Sequence, residues 1–198
     1  MLFRSTALGN GSRRIFEALG VWDRIAAESA AIRTIHVSEG GRFGFTRLVA
    51  EEQGVAAFGF VAANRVIGAA LWERLAGARA ELRVPARVSE VRIGADDVGL
   101  DVNGERVEAR LVVAADGARS IVREAAGITA QIEDYGQVAV VANVAADRPH
   151  DGTAYERFTR TGPLAVLPVH DGTFAVVWAL EPGAAYMEIG RASCRERV

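Results

Sequence analysis

The chain of 198 residues is 50% hydrophobic and 24% charged, and its formal net charge is −2. This composition is typical of a folded globular chain and excludes an intrinsically disordered one. All 23 basic residues are arginine and they form no basic block, so we expect no nucleic-acid partner.

Several features of the sequence bear on location and on metal binding. No apolar run reaches the roughly 18 residues needed to span a bilayer. The first residues lack the charged-then-apolar order of a signal peptide. The single cysteine, Cys194, cannot form a disulfide within the chain. We therefore expect a cytoplasmic protein. The three histidines lack metal-ligand spacing, so we expect no metal site.

The N-terminal part of the sequence predicts two helices and a strand. Ser12 can cap a helix over Arg13–Leu19, and Gly20 suits the left-handed position that ends a helix. A short second helix is predicted over Trp22–Ala27. Alternating residues then favour a strand over Ile32–Ser38.

Two weaker strands and a helix follow. The strands are predicted over Phe43–Leu48 and Val55–Val61. Asn64 can cap a helix over Arg65–Gly77. Spacing by four residues predicts that the apolar face of this helix consists of Ile67, Leu71 and Leu75.

After Glu81 the hydrophobic period changes to two, which indicates strands. Short strands are predicted over Leu82–Val84 and Arg87–Ile93. Asn103-Gly104 is a type I′ turn signal that joins a strand ending at Val102 to a returning strand. The continuous apolar run Leu111–Ala115 is typical of a strand buried on both faces.

The last third of the chain is rich in predicted strands, namely Val138–Val144, Ala154–Phe158, Leu164–Val169 and Thr173–Leu180. The order of elements predicts an α/β (α+β) fold. We expect a partial Rossmann-like nucleotide-binding domain over residues 1–133 and the start of a sheet-rich domain over residues 134–187.

The stretch from Leu111 to Arg123 carries the most chemical information. A carboxylate at the end of a buried strand, Asp116, can accept hydrogen bonds from ribose hydroxyls, and Gly117 permits close approach to the backbone. Ser120 can cap a following helix whose N-terminus favours phosphate. Spacing alone, however, favours an ordinary turn followed by an ordinary helix cap.

A resemblance to a known family favours the functional interpretation. Leu111–Arg123 resembles the Asp-Gly motif of the class A flavoprotein monooxygenases. Other blocks resemble the same family in the same order, particularly its ubiquinone-biosynthesis branch of aromatic hydroxylases. They are Arg4 with Ala7-Leu8 and Ser12, Leu19–Trp22, Thr34–Ser38, Asp134–Gln137, Val141–Val144, Tyr155–Thr159 and Gly162–Pro168.

The resemblance implies FAD as cofactor, NAD(P)H as co-substrate, and transfer of one oxygen atom of O2 to a phenol ring, a polyprenyl phenol in this branch. It also implies a set of cofactor-binding residues: Arg4 at the FAD phosphates, Asn64 beside the flavin, Val88 at the adenine, and Asp116, Gly117 and Ser120 at ribose and phosphate. The family relies on no fixed protein nucleophile, and no catalytic residue is predicted.

Simpler roles are open for most of these residues. Arg4 can be a solvated arginine, and Asn64 and Ser120 can be helix caps. Val88 can be a core residue of a strand.

The family pattern is incomplete in this sequence. No strand followed by G-x-G-x-x-G is present, and Gly9-Asn10-Gly11 has Arg14 where the third glycine belongs. Residues 188–198 resemble translated sequencing adapter, and we expect them to be an assembly artefact. The chain is then a fragment that covers about the middle half of a family member. One alternative is a flavin hydroxylase of another aromatic substrate, and another is a non-catalytic fragment that cannot bind FAD.

A polyprenyl substrate implies peripheral contact with the inner membrane at most. The resemblance also implies other quinone-biosynthesis enzymes as possible partners.

Overall fold

The computed structural model describes residues 4–185. In chain order its elements are β1 (Ser5–Gly9), α1 (Asn10–Ala18), α2 (Trp22–Ala27), β2 (Ser29–Ile32), β3 (Thr34–Glu39), β4 (Phe45–Val49), a 3-10 turn (Glu51–Gln53), β5 (Gly59–Ala63), α3 (Asn64–Ala76), β6 (Val88–Ile93), β7 (Val98–Val102), β8 (Glu105–Ala109), α4 (Ile121–Ala125), β9 (Val138–Val144), β10 (Thr153–Thr159), β11 (Gly162–Pro168) and β12 (Phe174–Leu180). The mixed α/β content agrees with the expected fold class.

The elements form two compact units. The first combines the described residues up to Ala78 with those from Tyr135 onward, and the second is Arg79–Asp134. The single boundary expected between residues 133 and 134 lies next to the division after Asp134, and no boundary was expected after Ala78. Which unit corresponds to which functional domain stays a prediction.

The first unit contains a small antiparallel sheet in the order β1-β5-β2. The helices α1, α2 and α3 pack beside it around a core that includes Leu8, Ile25 and Ala62. The helix α3 buries Val66 and Ala70, whereas Leu71 and Leu75 are 36% and 38% exposed. The predicted apolar face of this helix is confirmed at Ile67, which packs against the core, and was wrong at Leu71 and Leu75, because Val66 and Ala70 make the close contact instead.

The first unit also contains a six-stranded sheet in the order β4-β3-β10-β11-β12-β9. Its neighbours are antiparallel except for the parallel pair β3 and β10. The strand β3 thus pairs directly with β10, which lies more than 100 residues later in the chain. Pairing over such a distance explains why sequence patterns alone did not predict the first unit.

One face of the six-stranded sheet packs against the small sheet. Ala154 of β10 clusters with Ile32 of β2 and Val61 of β5, and Ile35 and Leu167 pack against the same cluster. Because side chains alternate along a strand, the neighbours of Ile35 and Ala154 lie on the opposite face of the large sheet.

The second unit is built on the antiparallel meander β6-β7-β8. Asn103 and Gly104 join β7 to β8 with φ angles of 55° and 85°, which confirms the predicted turn. The helix α4 packs beside β6.

Two predicted strands of this unit, Leu82–Val84 and Leu111–Ala115, are not strands. Leu111 and Val113 are 79% and 78% exposed. A strand requires hydrogen-bonded neighbours, and within the described residues β6, β7 and β8 pair only with one another. The apolar run Leu111–Ala115 has no partner strand among the described residues, so it does not form a strand.

The beginning of α1 also differs from the prediction. The helix begins at Asn10 with Gly9 as its N-cap and no side-chain cap, so Ser12 lies inside it. No helix within residues 4–185 is both long and apolar enough to cross a bilayer. The expected artefact over residues 188–198, with Cys194, lies outside the described residues.

Candidate functional site

The Asp-Gly segment is organised by hydrogen bonds to the first turn of α4. Oδ2 of Asp116 accepts a hydrogen bond from the backbone N–H of Ile121 at 2.9 Å. Oγ of Ser120 accepts one from the backbone N–H of Arg123 at 3.1 Å, and Ser120 is only 5% exposed. Ser120 is therefore the N-cap of α4, as one of the sequence interpretations held.

The electrostatic state of Asp116 follows from the same contacts. A hydrogen bond with the Ser120 side chain, supported by the backbone N–H groups of Ile121 and Val122, lowers the pKa of Asp116. Hydrogen bonds to the charged form favour it, so the carboxylate is ionised at neutral pH. Such a group accepts hydrogen bonds from ribose hydroxyls and repels a phosphate placed directly against it.

Gly117 supplies an open stretch of backbone beside this carboxylate. Its φ is +88°, and no atom lies within 4 Å of the position that a Cβ would occupy. An open groove of about 350 Å³ is lined by residues that include Asp116, Gly117, Ser120 and Arg123. Ligand pockets measure roughly 300–1,000 Å³, so this groove fits part of a dinucleotide, such as a ribose.

Arg123 stabilises the turn between Gly117 and Ser120. Its Nη1 donates a hydrogen bond of 2.9 Å to the carbonyl oxygen of Ala118. This hydrogen bond restricts the turn that presents Gly117.

Arg4 and Asn64 come together in the first unit. The backbone N–H of Asn64 donates to the carbonyl oxygen of Arg4 at 2.8 Å. Oδ1 of Asn64 accepts a hydrogen bond of 2.7 Å from Oγ1 of Thr6. Asn64 is the first residue of α3, whose N-cap is Ala63, so the interpretation of Asn64 as a helix cap was wrong.

Arg4 lines a second groove, of about 310 Å³. The Arg4 side chain is exposed, and within residues 4–185 no ion pair engages its guanidinium. A free guanidinium can bind phosphate through paired N–H donors. Arg4 therefore fits the phosphate contact implied by the resemblance, and that contact stays a prediction.

The sequence interpretation missed two polar residues of this second groove, Asn143 and Asp171. Asn143 is the one polar side chain of β9, in the segment VAVVANV. A single polar residue within an apolar strand was the sequence feature that could have indicated a binding role. Asp171 lies in the loop between β11 and β12, outside the predicted strands. A hydrogen bond from the Thr173 side chain lowers the pKa of Asp171, so it is ionised at neutral pH.

Val88 is half-buried at the start of β6, where it pairs with Val102 next to a register irregularity. The predicted residues therefore fall into two groups. Arg4 and Asn64 belong to the first unit, and Val88, Asp116, Gly117 and Ser120 belong to the second. In the first unit the exposed Arg4 guanidinium fits a phosphate, and in the second unit the ionised Asp116 beside the open Gly117 fits a ribose.

The family described as FAD binding domain matches residues 1–197. The chain belongs to this family. The assignment confirms FAD as the cofactor expected from the sequence.

Two curated relatives are ubiquinone hydroxylases by name. Ubiquinone hydroxylase UbiL of Rhodospirillum rubrum is 39% identical over 178 residues, which are 88% of this chain and 41% of the relative. The 3-demethoxyubiquinol 3-hydroxylase of Escherichia coli is 30% identical over 190 residues, which are 90% of this chain and 46% of the relative. The resemblance to the ubiquinone-biosynthesis branch is thereby confirmed, and the chain spans less than half the length of these relatives.

Solved structures confirm the fold class. The p-nitrophenol 4-monooxygenase PnpA from Pseudomonas putida matches with a TM-score of 0.77 at 21% identity, over 95% of this chain and 50% of that structure. Klebsiella pneumoniae HpxO complexed with FAD and uric acid matches with a TM-score of 0.76 at 16% identity, over 91% of this chain and 48% of that structure. At these identities the likeness shows the fold alone.

Proposed function

We propose that the protein carrying this chain is an FAD-dependent monooxygenase that hydroxylates a phenol ring in ubiquinone biosynthesis, with NAD(P)H and O2 as co-substrates. The observation that carries the proposal is the 39% identity over 178 residues to a ubiquinone hydroxylase. The Asp116-Gly117 groove supports it, because its groups suit a nucleotide ribose.

In this proposal the chain's residues bind and position the cofactor. Asp116 accepts hydrogen bonds from a ribose hydroxyl, and a hydrogen bond with the Ser120 side chain lowers the pKa of that carboxylate. Gly117 permits close contact with its backbone, and the Arg4 guanidinium binds phosphate.

Two further residues complete the proposed contacts. Oδ1 of Asn64 accepts a hydrogen bond from Oγ1 of Thr6. The N–H groups of the Asn64 side-chain amide are proposed to donate hydrogen bonds to the flavin. Val88 offers its backbone to the adenine. When bound, FAD supplies the redox chemistry, since it accepts electrons from NAD(P)H and activates O2 for transfer to the ring.

The proposed substrate is a polyprenylated phenol, in line with the names of the two curated relatives. Such a substrate is stored in a lipid phase, so we propose peripheral contact with the inner membrane. Other enzymes of quinone biosynthesis are the proposed partners.

The activity is tested on the purified gene product that carries this sequence, supplied with FAD. We expect NAD(P)H oxidation that depends on an added prenylated phenol, with one oxygen atom gained by the ring in mass spectra. Phenol-independent oxidation without a hydroxylated product would refute the proposed reaction.

The cofactor site is tested separately by the quenching of flavin fluorescence. We expect Asp116→Asn to weaken FAD binding by about tenfold, the effect of losing one hydrogen bond to a charged group. Asp96→Asn is the matched control, because Asp96 is an exposed aspartate of the same unit outside the groove. Equal FAD affinity of the two variants would contradict the role of Asp116.

A further inference from the structure

A row of three polar and aromatic side chains crosses three neighbouring strands of the six-stranded sheet. Arg47 of β4 is the register partner of His36 on β3, and His36 is the register partner of Tyr155 on β10. Phe45 and Thr153 lie two residues along from Arg47 and Tyr155, so they share the same face. These five residues line a groove of about 350 Å³, here called the aromatic groove.

The aromatic groove lies on the outer face of the sheet. Ile35 and Ala154, which pack towards the small sheet, directly precede His36 and Tyr155 in the chain. Side chains alternate between faces along a strand, so His36 and Tyr155 point away from the small sheet. Arg4 and Asn64 belong to the β1 and β5 side of the unit, and neither lines the aromatic groove.

The rings of the groove contact one another but do not lie in one plane. The His36 and Phe45 rings are stacked, with centroids 4.7 Å apart and planes at 25°. The Tyr155 ring lies 5.7 Å from His36 and is tilted by 50°. Phe45 is 66% exposed and Tyr155 is 42% exposed. Phe45 and Tyr155 thus have exposed ring surface, at which a planar partner would gain stacking and apolar contact.

The charge on this face is positive. Alternation places Arg47 and Arg157 on the face, and no acidic residue of β3, β4 or β10 shares it. Within the part of the chain that the structure describes, no ion pair or side-chain hydrogen bond engages Arg47. An unpaired guanidinium beside aromatic rings can bind a carboxylate in bidentate geometry.

We propose that the aromatic groove is a binding site for a small aromatic carboxylate. The ligand ring lies against Phe45 and Tyr155, and its carboxylate pairs with Arg47. The aromatic rings alone would bind any planar apolar group, and the Arg47 guanidinium alone would bind any anion. Only the two together select a ligand that has both an aromatic ring and a carboxylate. This inference does not depend on the proposed hydroxylase activity.

The test is calorimetric titration of the 198-residue chain with benzoate as the probe. Cyclohexanecarboxylate keeps the charge without the aromatic ring, and benzyl alcohol keeps the ring without the charge. We expect saturable binding of benzoate and binding at least about tenfold weaker for each of the other two. No saturable binding of benzoate, or equal binding of benzoate and cyclohexanecarboxylate, would overturn the proposal.

Variants locate the site. We expect Arg47→Met to weaken benzoate binding by about tenfold and Arg47→Lys to restore part of it. Arg92→Met is the matched control, because it removes the same charge from the second unit. Tyr155→Ser removes a ring without changing the charge and should also weaken binding. If Arg47→Met and Arg92→Met bind benzoate equally, the groove is not the site. Far-UV circular dichroism checks that each variant is folded.

Discussion

The carboxylate of Asp116 accepts a hydrogen bond of 2.9 Å from the backbone N–H of Ile121, five residues later in the chain. This contact closes a turn around Gly117 and attaches it to the first turn of α4. The ribose-binding carboxylate of the proposed site is therefore also part of the local structure that presents the glycine.

The first prediction concerns acid stability. Hydrogen bonding to Ser120 lowers the pKa of Asp116 below its ordinary value of 3.8. A lowered folded-state pKa stabilises the fold above the unfolded pKa, and this contribution is lost as the pH falls through the folded value. Asp116→Asn should therefore lower the urea midpoint at neutral pH, and its difference from the wild type should shrink as the pH falls below the ordinary pKa of 3.8.

Asp96→Asn serves as the control for that series, since the exposed Asp96 has no comparable hydrogen bond among the described contacts. A difference between wild type and Asp116→Asn that is constant with pH would contradict the assigned role of the carboxylate.

The second prediction compares Ser12 and Ser120, which the sequence predicts in the same way to be helix N-caps. Ser120→Ala removes the N-cap of α4 and leaves the N–H of Arg123 without its acceptor. The expected loss is about 1 kcal/mol in the free energy of unfolding, measured by urea denaturation. Ser12→Ala should be neutral or slightly stabilising, because Ser12 lies inside α1 and alanine favours helix. Equal losses in both variants would show that Ser120 contributes nothing specific as a cap.

The same two serines show what can be predicted from the sequence. A cap or a two-residue turn is decided within a few residues, and Ser120 and the Asn103-Gly104 turn were predicted correctly. The prediction for Ser12 failed because α1 begins two residues before it, which the contacts of β1 determine. The prediction for Leu111–Ala115 failed because a strand depends on partners elsewhere in the chain.

The candidate site shows the same limit. The Asp116-Gly117 segment is contiguous with Ser120, so the cap of α4 could be predicted from the motif, whereas the strand expected before Asp116 did not form. The groove around Arg4 combines residues from distant parts of the chain, and Asn143 and Asp171 became visible as neighbours of Arg4 only in the fold.

The third prediction concerns the contact that attaches β1 to α3. Oγ1 of Thr6 donates to Oδ1 of Asn64 at 2.7 Å. A double-mutant cycle with Thr6→Val and Asn64→Ala should give a coupling of about 0.5–1 kcal/mol in the free energy of unfolding. The cycle of Thr6→Val with Ser12→Ala is the control and should show no coupling, since no contact joins Thr6 to Ser12 among the described hydrogen bonds. Additive effects in the first cycle would show that the hydrogen bond does not stabilise the chain.

The fourth prediction uses two glycines in opposite conformations. Gly104 has φ of +85° in the β7–β8 turn, where an alanine side chain is strained. Gly68 lies inside α3 with no atom within 4 Å of its added Cβ, where alanine favours the helix. Gly104→Ala should therefore lower the free energy of unfolding by about 1 kcal/mol, and Gly68→Ala should raise it by a similar amount.

The two substitutions add the same methyl group, so their opposite signs isolate the backbone angle as the cause. The Asn103 side chain attaches the turn to the segment before β6. Its Oδ1 accepts a hydrogen bond from the backbone N–H of Arg87 at 2.9 Å, and its Nδ2 donates one to the carbonyl oxygen of Pro85 at 3.1 Å. A turn that relaxes to accommodate the methyl group added at Gly104 must weaken these bonds to the segment before β6. Hydrogen exchange at the Arg87 amide should therefore accelerate in Gly104→Ala and not in Gly68→Ala, and unchanged protection in both would mean that the turn does not hold this segment.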